Sequence, residues 1–268
     1  MEQLITKAAW DLANSLYAVA LTGAGISTES GIRDFRGPQG VWTLNPEAER
    51  MAYRSYERFL EDPRGWWEEM LNRPRVSLLG GLEEVKPNPG HYALVELEKL
   101  GILKWVITQN IDSLHEKAGT KKLLEYHGSF AKLRCVSCNL RLRRDQIDLA
   151  KLMQGNQLPP RCAKCGGIIK SDTVSFGEPI PSDVAQQSLE EAWKCDLMLI
   201  CGTSAVVYPF ANLPRVAKQK GMVTIIEVNA DITPLTEEGV SDYLIQGKTG
   251  EILPRIVDEV KRMKKINT

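Results

Sequence analysis

The chain of 268 residues contains no apolar run long enough to span a bilayer, which excludes a helical membrane protein and predicts no membrane partner. It has no surplus of charge either. Its 34 Lys and Arg offset 34 Asp and Glu, so bulk charge points to no nucleic-acid or membrane partner. The Met-Glu-Gln start lacks a basic n-region and a cleavage pattern, so a cytoplasmic protein without a signal peptide is expected. Internal repeats and low-complexity segments are absent. Histidine is scarce: only His91, His115 and His127 are available for proton transfer near neutral pH. The remaining composition, 43% hydrophobic and 25% charged, is that of an ordinary globular protein. The length admits one large core, or a large and a small one.

Residues Tyr17 to Thr22 form an apolar run ended by Gly23-Ala24-Gly25, the pattern of a buried parallel strand entering a tight turn. Glycines there let backbone amides approach a phosphate. A dinucleotide fingerprint would place a third glycine where Thr28 stands, so Gly23 and Gly25 alone fit an ordinary strand-to-helix turn equally well. Arg33-Asp34-Phe35-Arg36 follows, a charged aromatic segment suited either to a solvated loop or to one folding over an anionic ligand.

Helical spacing is expected over Leu4 to Leu16, His91 to Leu100, Ser182 to Trp193, Ala211 to Lys220 and Gly250 to Met263. Strands are expected at Leu103 to Thr108, Lys122 to Tyr126, Asp172 to Phe176, Leu197 to Cys201, Val223 to Val228 and Tyr243 to Ile245. This rhythm predicts an α/β fold with a doubly wound parallel sheet. Gln109-Asn110-Ile111-Asp112 then sits at the carboxyl end of a strand, where such sheets bind ligands. Two segments break the alternation. Val41 to Leu79 reads as a helical excursion carrying Trp42, Trp66 and Trp67 as core anchors, with Asp62-Pro63 starting a helix and a Gly/Pro-rich loop from Gly80 to Pro89 after it.

The other interruption holds Cys135, Cys138, Cys162 and Cys165. Two C-x-x-C pairs close a tetrahedron of thiolates, so one structural Zn²⁺ is expected, with no open position for catalysis. Cys195 and Cys201 bound an apolar strand and read as inert core thiols. From Lys132 to Lys170, nine Lys or Arg face only Asp145 and Asp148, a surplus of seven positive charges. That surplus fits either a solvated surface or a patch for an acidic partner such as nucleic acid or a chromatin protein.

Taken together and in order, Gly23-Ala-Gly-Ile-Ser27, Gly31-Ile-Arg-Asp-Phe-Arg-Gly37, Thr108-Gln-Asn-Ile-Asp112, His127-Gly128, the paired C-x-x-C units, Phe176-Gly-Glu178, Gly202-Thr-Ser204 and Val228-Asn229 resemble the sirtuins, NAD-dependent protein lysine deacylases, of bacterial or archaeal type. The resemblance spans nearly the whole chain. It implies a discontinuous Rossmann-like NAD-binding domain (residues 1–40, 81–131 and 173–268) and a small domain (41–80 and 132–172) combining a helical module with a zinc ribbon. NAD, as cosubstrate, and an acylated-lysine protein would meet between them. By the same resemblance, Gly23, Ala24, Gly25 and Ser27 line the pyrophosphate, and Asp34, Phe35 and Arg36 cover the nicotinamide ribose. Gly202, Thr203, Ser204 and Asn229 hold the adenosine half, and Gln109 lies near a ribose. Asn110, Ile111 and Asp112 bound the nicotinamide pocket. The acyl oxygen attacks the ribose C1′ as nicotinamide leaves, and a base then takes a ribose hydroxyl proton. The products are lysine, nicotinamide and O-acyl-ADP-ribose. Spacing does not choose among the three histidines; the family's base matches His127. The peptide adds as a strand between Val174-Ser175-Phe176-Gly177-Glu178 and the segment carrying Val206 and Tyr208.

Some positions depart from the family pattern. Arg33 replaces a usual proline in the cofactor loop. At the positions that read acidic acyl groups, Met70 replaces a tyrosine while Arg73 is kept, which suits an apolar acyl chain. Gly37 to Thr43 resembles the nuclear, chromatin-associated branch, whereas Phe176-Gly-Glu178 resembles the prokaryotic one. Protein mono-ADP-ribosyltransfer, or NAD sensing with a nucleic-acid-binding zinc module, are the competing readings.

Overall fold

The computed structural model describes residues 1–35, 37, 40–72 and 84–266. Arg36, Arg73, residues 74–79 of the expected helical excursion and residues 80–83 of the expected Gly80 to Pro89 loop lie outside the described residues. Nine strands occur among those described: β1 (Ala18–Thr22), β2 (Leu103–Thr108), β3 (Leu123–Glu125), β4 (Lys132–Cys135), β5 (Arg141–Arg143), β6 (Ile169–Ser171), β7 (Leu197–Cys201), β8 (Thr224–Asn229) and β9 (Tyr243–Gln246). Six of them form one sheet in the order β3-β2-β1-β7-β8-β9, and every pairing in it is parallel. From β1 the chain winds outward to β3, then returns to β7 and winds the other way to β9. The strand order therefore reverses between β1 and β7, and the crevice at such a switch point is where open α/β sheets take ligands.

The pleat sorts the two faces. Ala18 and Ala20 face the helices Glu2–Asn14, Pro89–Lys99 and Thr249–Ile266, packing with Leu12, Leu94, Leu97, Leu253 and Ile256. Val19 and Leu21 face the other side with Met198, Ile200, Leu213 and Ala217, under helices Ser182–Lys194 and Leu213–Gln219. Both faces are covered, so β7 is apolar throughout, β1 is apolar up to Thr22, and both are wholly buried, as expected of central parallel strands. Cys195 and Cys201 lie in these cores. Burial pushes the Cys195 thiol up to about 12 and Cys201 upward as well, which leaves both protonated and inert.

The remaining three strands make a small antiparallel sheet in the order β5-β4-β6. Its Leu133, Cys135 and Ile169 share a third core with Phe59, Trp66 and Trp67 from helices Pro46–Glu61 and Pro63–Asn72. The two interruptions of the α/β rhythm thus bury their apolar surface against each other. The Asp62 carboxylate accepts from Gly65 N, and Pro63 opens the helix, as the Asp-Pro pair predicts.

Three expectations need correction. Asp172 to Phe176 is no strand; the strand is Ile169–Ser171, and the following residues turn through Gly177 at φ +77° to bring Glu178 back onto β6. The helix expected over Ala211 to Lys220 begins as a single 3₁₀ turn, Phe210–Asn212, before Leu213–Gln219. Trp66 and Trp67 are core anchors, but Trp42 is half-buried and belongs to an aromatic cluster at the cleft. No described helix is long and apolar enough to cross a membrane.

Candidate functional site

The carboxyl ends of β1, β2 and β7 converge on one crevice. Gly25 N donates to Gly202 O at 2.8 Å, so the turns after β1 and β7 are in direct backbone contact. A Cβ on Gly25 would stand 2.8 Å from Gly202 Cα, and one on Gly23 would stand 2.6 Å from Thr203 Cβ. Gly202 itself adopts φ +61°, with Ile26 N only 2.3 Å from where a Cβ would be. These glycines therefore serve the approach of two strand ends, besides any approach to a ligand.

The polar residues after β2 tie into the same turns. Gln109 Nε2 donates to Thr203 Oγ1 at 2.7 Å. Asn110 Nδ2 donates to Gly23 O at 3.0 Å and to Ser27 Oγ at 3.1 Å, and Ser27 Oγ donates onward to Asp112 Oδ2 at 2.7 Å. The other Asp112 oxygen accepts from Leu114 N at 2.9 Å. Burial raises the Asp112 carboxyl above its ordinary range, opposed by these two donors. The expected set Gly23, Gly25, Ser27, Gln109, Asn110, Asp112, Gly202 and Thr203 is thus one connected network. Ala24 begins the 3₁₀ turn Ala24–Ser30, and Ile111 O accepts from Phe130 N at 2.9 Å.

Two non-glycine residues beside this network have left-handed backbone, Ser113 at φ 63° and Ala205 at φ 46°. Such strain gathers at functional sites and is held there by neighbours. The neighbours here are the Ser113–Ser129 hydroxyl pair at 2.8 Å and Ala205 N donating to Thr203 Oγ1 at 3.0 Å. Neither residue was a candidate from the sequence, because a serine and an alanine carry no sign of the backbone they adopt.

The three histidines part company. His91 and His115 are both buried behind the crevice, their rings 4.8 Å apart. His91 Nδ1 accepts from Asn88 N within the capping box of its helix, and His115 Nε2 meets Thr22 Oγ1 at 2.9 Å. Burial pulls His91 down to about 4 and His115 well below its usual value. His127 instead reaches the cleft end of β2, where its Nδ1 lies 3.2 Å from Gln109 O. A carbonyl only accepts, so Nδ1 carries the proton and Nε2 keeps its lone pair. Burial lowers the His127 pKa, partly opposed by that bond, which keeps the ring neutral at pH 7. His127 O also accepts from Val174 N at 2.8 Å, joining it to the expected peptide segment.

Phe176 on that segment stacks on Tyr53 at 4.2 Å and meets Trp42 at 5.5 Å; Trp42 in turn meets Phe35 at 4.6 Å. One aromatic cluster therefore links the loop after β1, the helical excursion and the segment Val174 to Glu178. Phe176 and Gly177 also line a groove of about 560 Å³ with Tyr53, Tyr56 and Leu60. Met70 packs against the third core, beside the small sheet. The Asp34 carboxylate turns back onto its own loop and accepts from Gly37 N at 3.1 Å. Arg33, Ser204, Val206 and Tyr208 are exposed, and Asn229 Nδ2 donates to Asp231 O at 3.2 Å.

The four cysteine sulfurs of the small sheet all lie within 4.8 Å of one another. Cys135 Sγ is 3.5 Å from Cys165 Sγ, and Cys138 Sγ is 3.8 Å from Cys162 Sγ, so each close pair takes one thiol from each C-x-x-C. A tetrahedral zinc–thiolate site, with Zn–S bonds of about 2.3 Å, separates its sulfurs by roughly 3.8 Å. The residues fit one structural zinc with no open position. The positive surplus nearby is largely compensated. Lys132 pairs with Glu116 and Glu125, Arg134 with Asp172 and Glu178, Arg141 with Asp172 and Asp183, Arg143 with Asp145, and Lys170 with Glu178. Lys151, Arg161 and Lys164 are exposed.

Residues 23–209 match the Sir2 family. The NAD-dependent protein deacylase 2 of Pyrobaculum aerophilum is 42% identical over 251 residues, covering 94% of each chain. A solved Sir2 homolog–NAD complex superposes with a TM-score of 0.75 at 39% identity, covering 98% of this chain and 94% of that one. The structure of Sir2Af2 bound to a myristoylated histone peptide does so with a TM-score of 0.66 at 38% identity, covering 99% and 100%. A crevice at the switch point, a neutral histidine at its mouth and a closed cysteine tetrahedron thus occur in a chain alike end to end to these proteins, and the protein belongs to the Sir2 family.

Proposed function

We propose that this protein is an NAD-dependent protein lysine deacylase in which His127 is the general base. The observation that carries the reading is the state of that ring: neutral, held through Nδ1–H on Gln109 O, with Nε2 left to take a proton. NAD is the cosubstrate, and its bond to nicotinamide is the one that breaks. Gly23, Ala24, Gly25 and Ser27 take the pyrophosphate side, and Gly202, Thr203, Ser204 and Asn229 the adenosine half. Gln109 orients a ribose, while Asn110, Ile111 and Asp112 shape the nicotinamide pocket. Asp34, Phe35 and Arg36 close over the nicotinamide ribose, and the Phe35–Trp42 contact supports that closure. After nicotinamide departs, His127 Nε2 removes a ribose hydroxyl proton so that the oxygen can accept the acyl group.

The acylated peptide adds as a strand between Val174, Ser175, Phe176, Gly177 and Glu178 on one side and Val206 and Tyr208 on the other. Phe176 packs on the lysine stem, beside a groove lined by Tyr53, Tyr56 and Leu60 together with Glu57 and Glu61. Cys135, Cys138, Cys162 and Cys165 hold a zinc that keeps the small domain folded and takes no part in proton or acyl transfer. We assign residues 1–40, 81–131 and 173–268 to the large domain and 41–80 and 132–172 to the small one. Four ligand thiolates suit a reducing, cytoplasmic setting. Any affinity for nucleic acid or a chromatin protein would rest on the exposed Lys151, Arg161 and Lys164, and is expected to vanish as salt is raised in a gel-shift titration.

Incubation with NAD and an acetyl-lysine peptide, with products resolved by mass, tests the reading. O-acetyl-ADP-ribose is expected. ADP-ribose attached to protein would mean ADP-ribosyltransfer, and no nicotinamide release would mean a sensor. His127→Ala should keep NAD binding and lose about 10²- to 10⁴-fold in deacylation rate. Because the ring's pKa lies below its usual value, the acid limb of the wild-type rate profile should fall below pH ~6.5.

A further inference from the structure

In the small sheet Arg134 and Lys170 are direct cross-strand partners on β4 and β6. Their side chains are 6% and 1% exposed. Two like charges side by side repel, and burial removes the water that would screen them. Such a pair is stable only with an anion between its members. That anion is Glu178, itself 3% exposed, whose Oε1 lies 2.6 Å from Arg134 and whose Oε2 lies 3.0 Å from Lys170. Asp172 Oδ1 lies 3.1 Å from Arg134 Nε and 3.3 Å from Arg141 Nε, as ion pairs, and Arg141 continues to Asp183. Three cations and three anions balance.

Glu178 is also the last residue of the segment that begins at Val174. Its Oε2 accepts from Ser175 N at 3.0 Å, and its own N donates to Ser175 O at 3.1 Å. Lys170 Nζ donates to Thr173 O at 2.6 Å, so the ammonium grips the segment at both ends. The rings of Phe59 and Trp66, with centroids 6.0 and 5.9 Å away, flank the Lys170 ammonium. Phe176 stands at the tip of the turn so held.

We propose that Lys170, with Arg134, is a positioning residue for the acyl-peptide site: by binding Glu178 and Thr173 O it holds residues 173–178 in the shape that presents Phe176 and an open strand edge. The inference rests on the reading that this segment receives the peptide. Neither cation is among the residues assigned above to NAD or to the peptide, so their loss should act on peptide affinity and leave the NAD side alone.

Steady-state kinetics on the full-length protein with an acetyl-lysine peptide test this, beside amide hydrogen exchange at Ser175. Lys170→Met should raise KM for the peptide about tenfold or more, the scale of one charge-assisted hydrogen bond, with kcat and KM for NAD within about twofold. The Ser175 amide should exchange faster by a similar factor. Lys170→Arg should recover much of the loss, which a merely structural defect would not predict. If Lys170→Met fails to fold or to keep its zinc, the double variant Lys170→Met with Glu178→Gln removes both charges at nearly constant volume, and the same rise in KM is expected. Wild-type peptide KM and Ser175 exchange in a folded variant would overturn the proposal, as would equal rises in KM for NAD and peptide. If the wild type turns over no acyl peptide, the deacylase reading fails instead, and exchange at Ser175 still decides whether Lys170 holds the segment.

Discussion

In the large sheet, burial is mostly apolar, and the one carboxylate buried on a described strand, Glu227 on β8, is held by the hydroxyls of Thr233, Thr236 and Ser241. Its central strands are five or six residues long, both faces are covered by helices, and the titratable groups behind its crevice, His91 and His115, are kept neutral. In the small sheet, strands are three or four residues long, and full charges are buried in pairs beside a cysteine tetrahedron. A region that small cannot close a hydrophobic core large enough to hold itself, so metal ligation and ion pairing supplement it. The difference explains a division of labour. The rigid apolar sheet fixes the crevice, while the electrostatically held region presents the segment beside it.

Removing the metal should break this comparison most visibly. Zinc binding by thiolates supplies on the order of 10 kcal/mol of folding free energy, so chelation or Cys135→Ser should unfold the small domain first. The near-ultraviolet signal of Trp66 and Trp67 should collapse while the far-ultraviolet signal of the parallel sheet persists. Simultaneous loss of both would mean that the two regions share one stability.

Core truncation gives the next largest effect. Trp67 is fully buried and donates Nε1 to Ile169 O at 3.0 Å. Trp67→Ala should cost about 3–5 kcal/mol, and its urea transition should split in two as the small domain melts early. Ile107→Ala, in the large sheet, should cost about 2–5 kcal/mol and shift a single transition. Two identical single transitions would contradict the idea of separately held cores.

The smallest effect concerns acid. His91 is held near 4 by burial, against an ordinary value near 6.5. The unfolded chain therefore takes up a proton first as pH falls. Stability from this group is complete above pH ~6.5 and is lost down to pH ~4, by roughly 3 kcal/mol in all. A thermal midpoint that falls across this window, with a flatter slope in His91→Gln, is expected. An unchanged slope would mean that His91 is not what makes the large domain acid-sensitive.

Much of the fold was legible without coordinates. Unbroken apolar runs between glycine turns leave a parallel strand few alternatives, and β1, β2, β7 and β8 lie where those runs predict. The cysteine spacing likewise predicted a tetrahedron that the four sulfurs form. The expected strand over Asp172 to Phe176 failed because its residues spend their hydrogen bonds on Glu178, Lys170 and His127, and propensity does not register such partners. Trp42 read as a core anchor because composition cannot tell a buried ring from one that joins a cleft.

By itself the sequence determined which segments pair and which residue types stand at strand ends, because both follow from local pattern: apolar period, glycine placement and ligand spacing. It did not decide among the three histidines. Only the tertiary structure sets them apart, by burying His91 and His115 and giving His127 a carbonyl partner at the cleft. Nor could it join Arg134 and Lys170 to Glu178, which are 44 and eight residues apart from it in the chain. Such pairings depend on where folding brings distant charges together, and on the loss of water that makes each of them need the other.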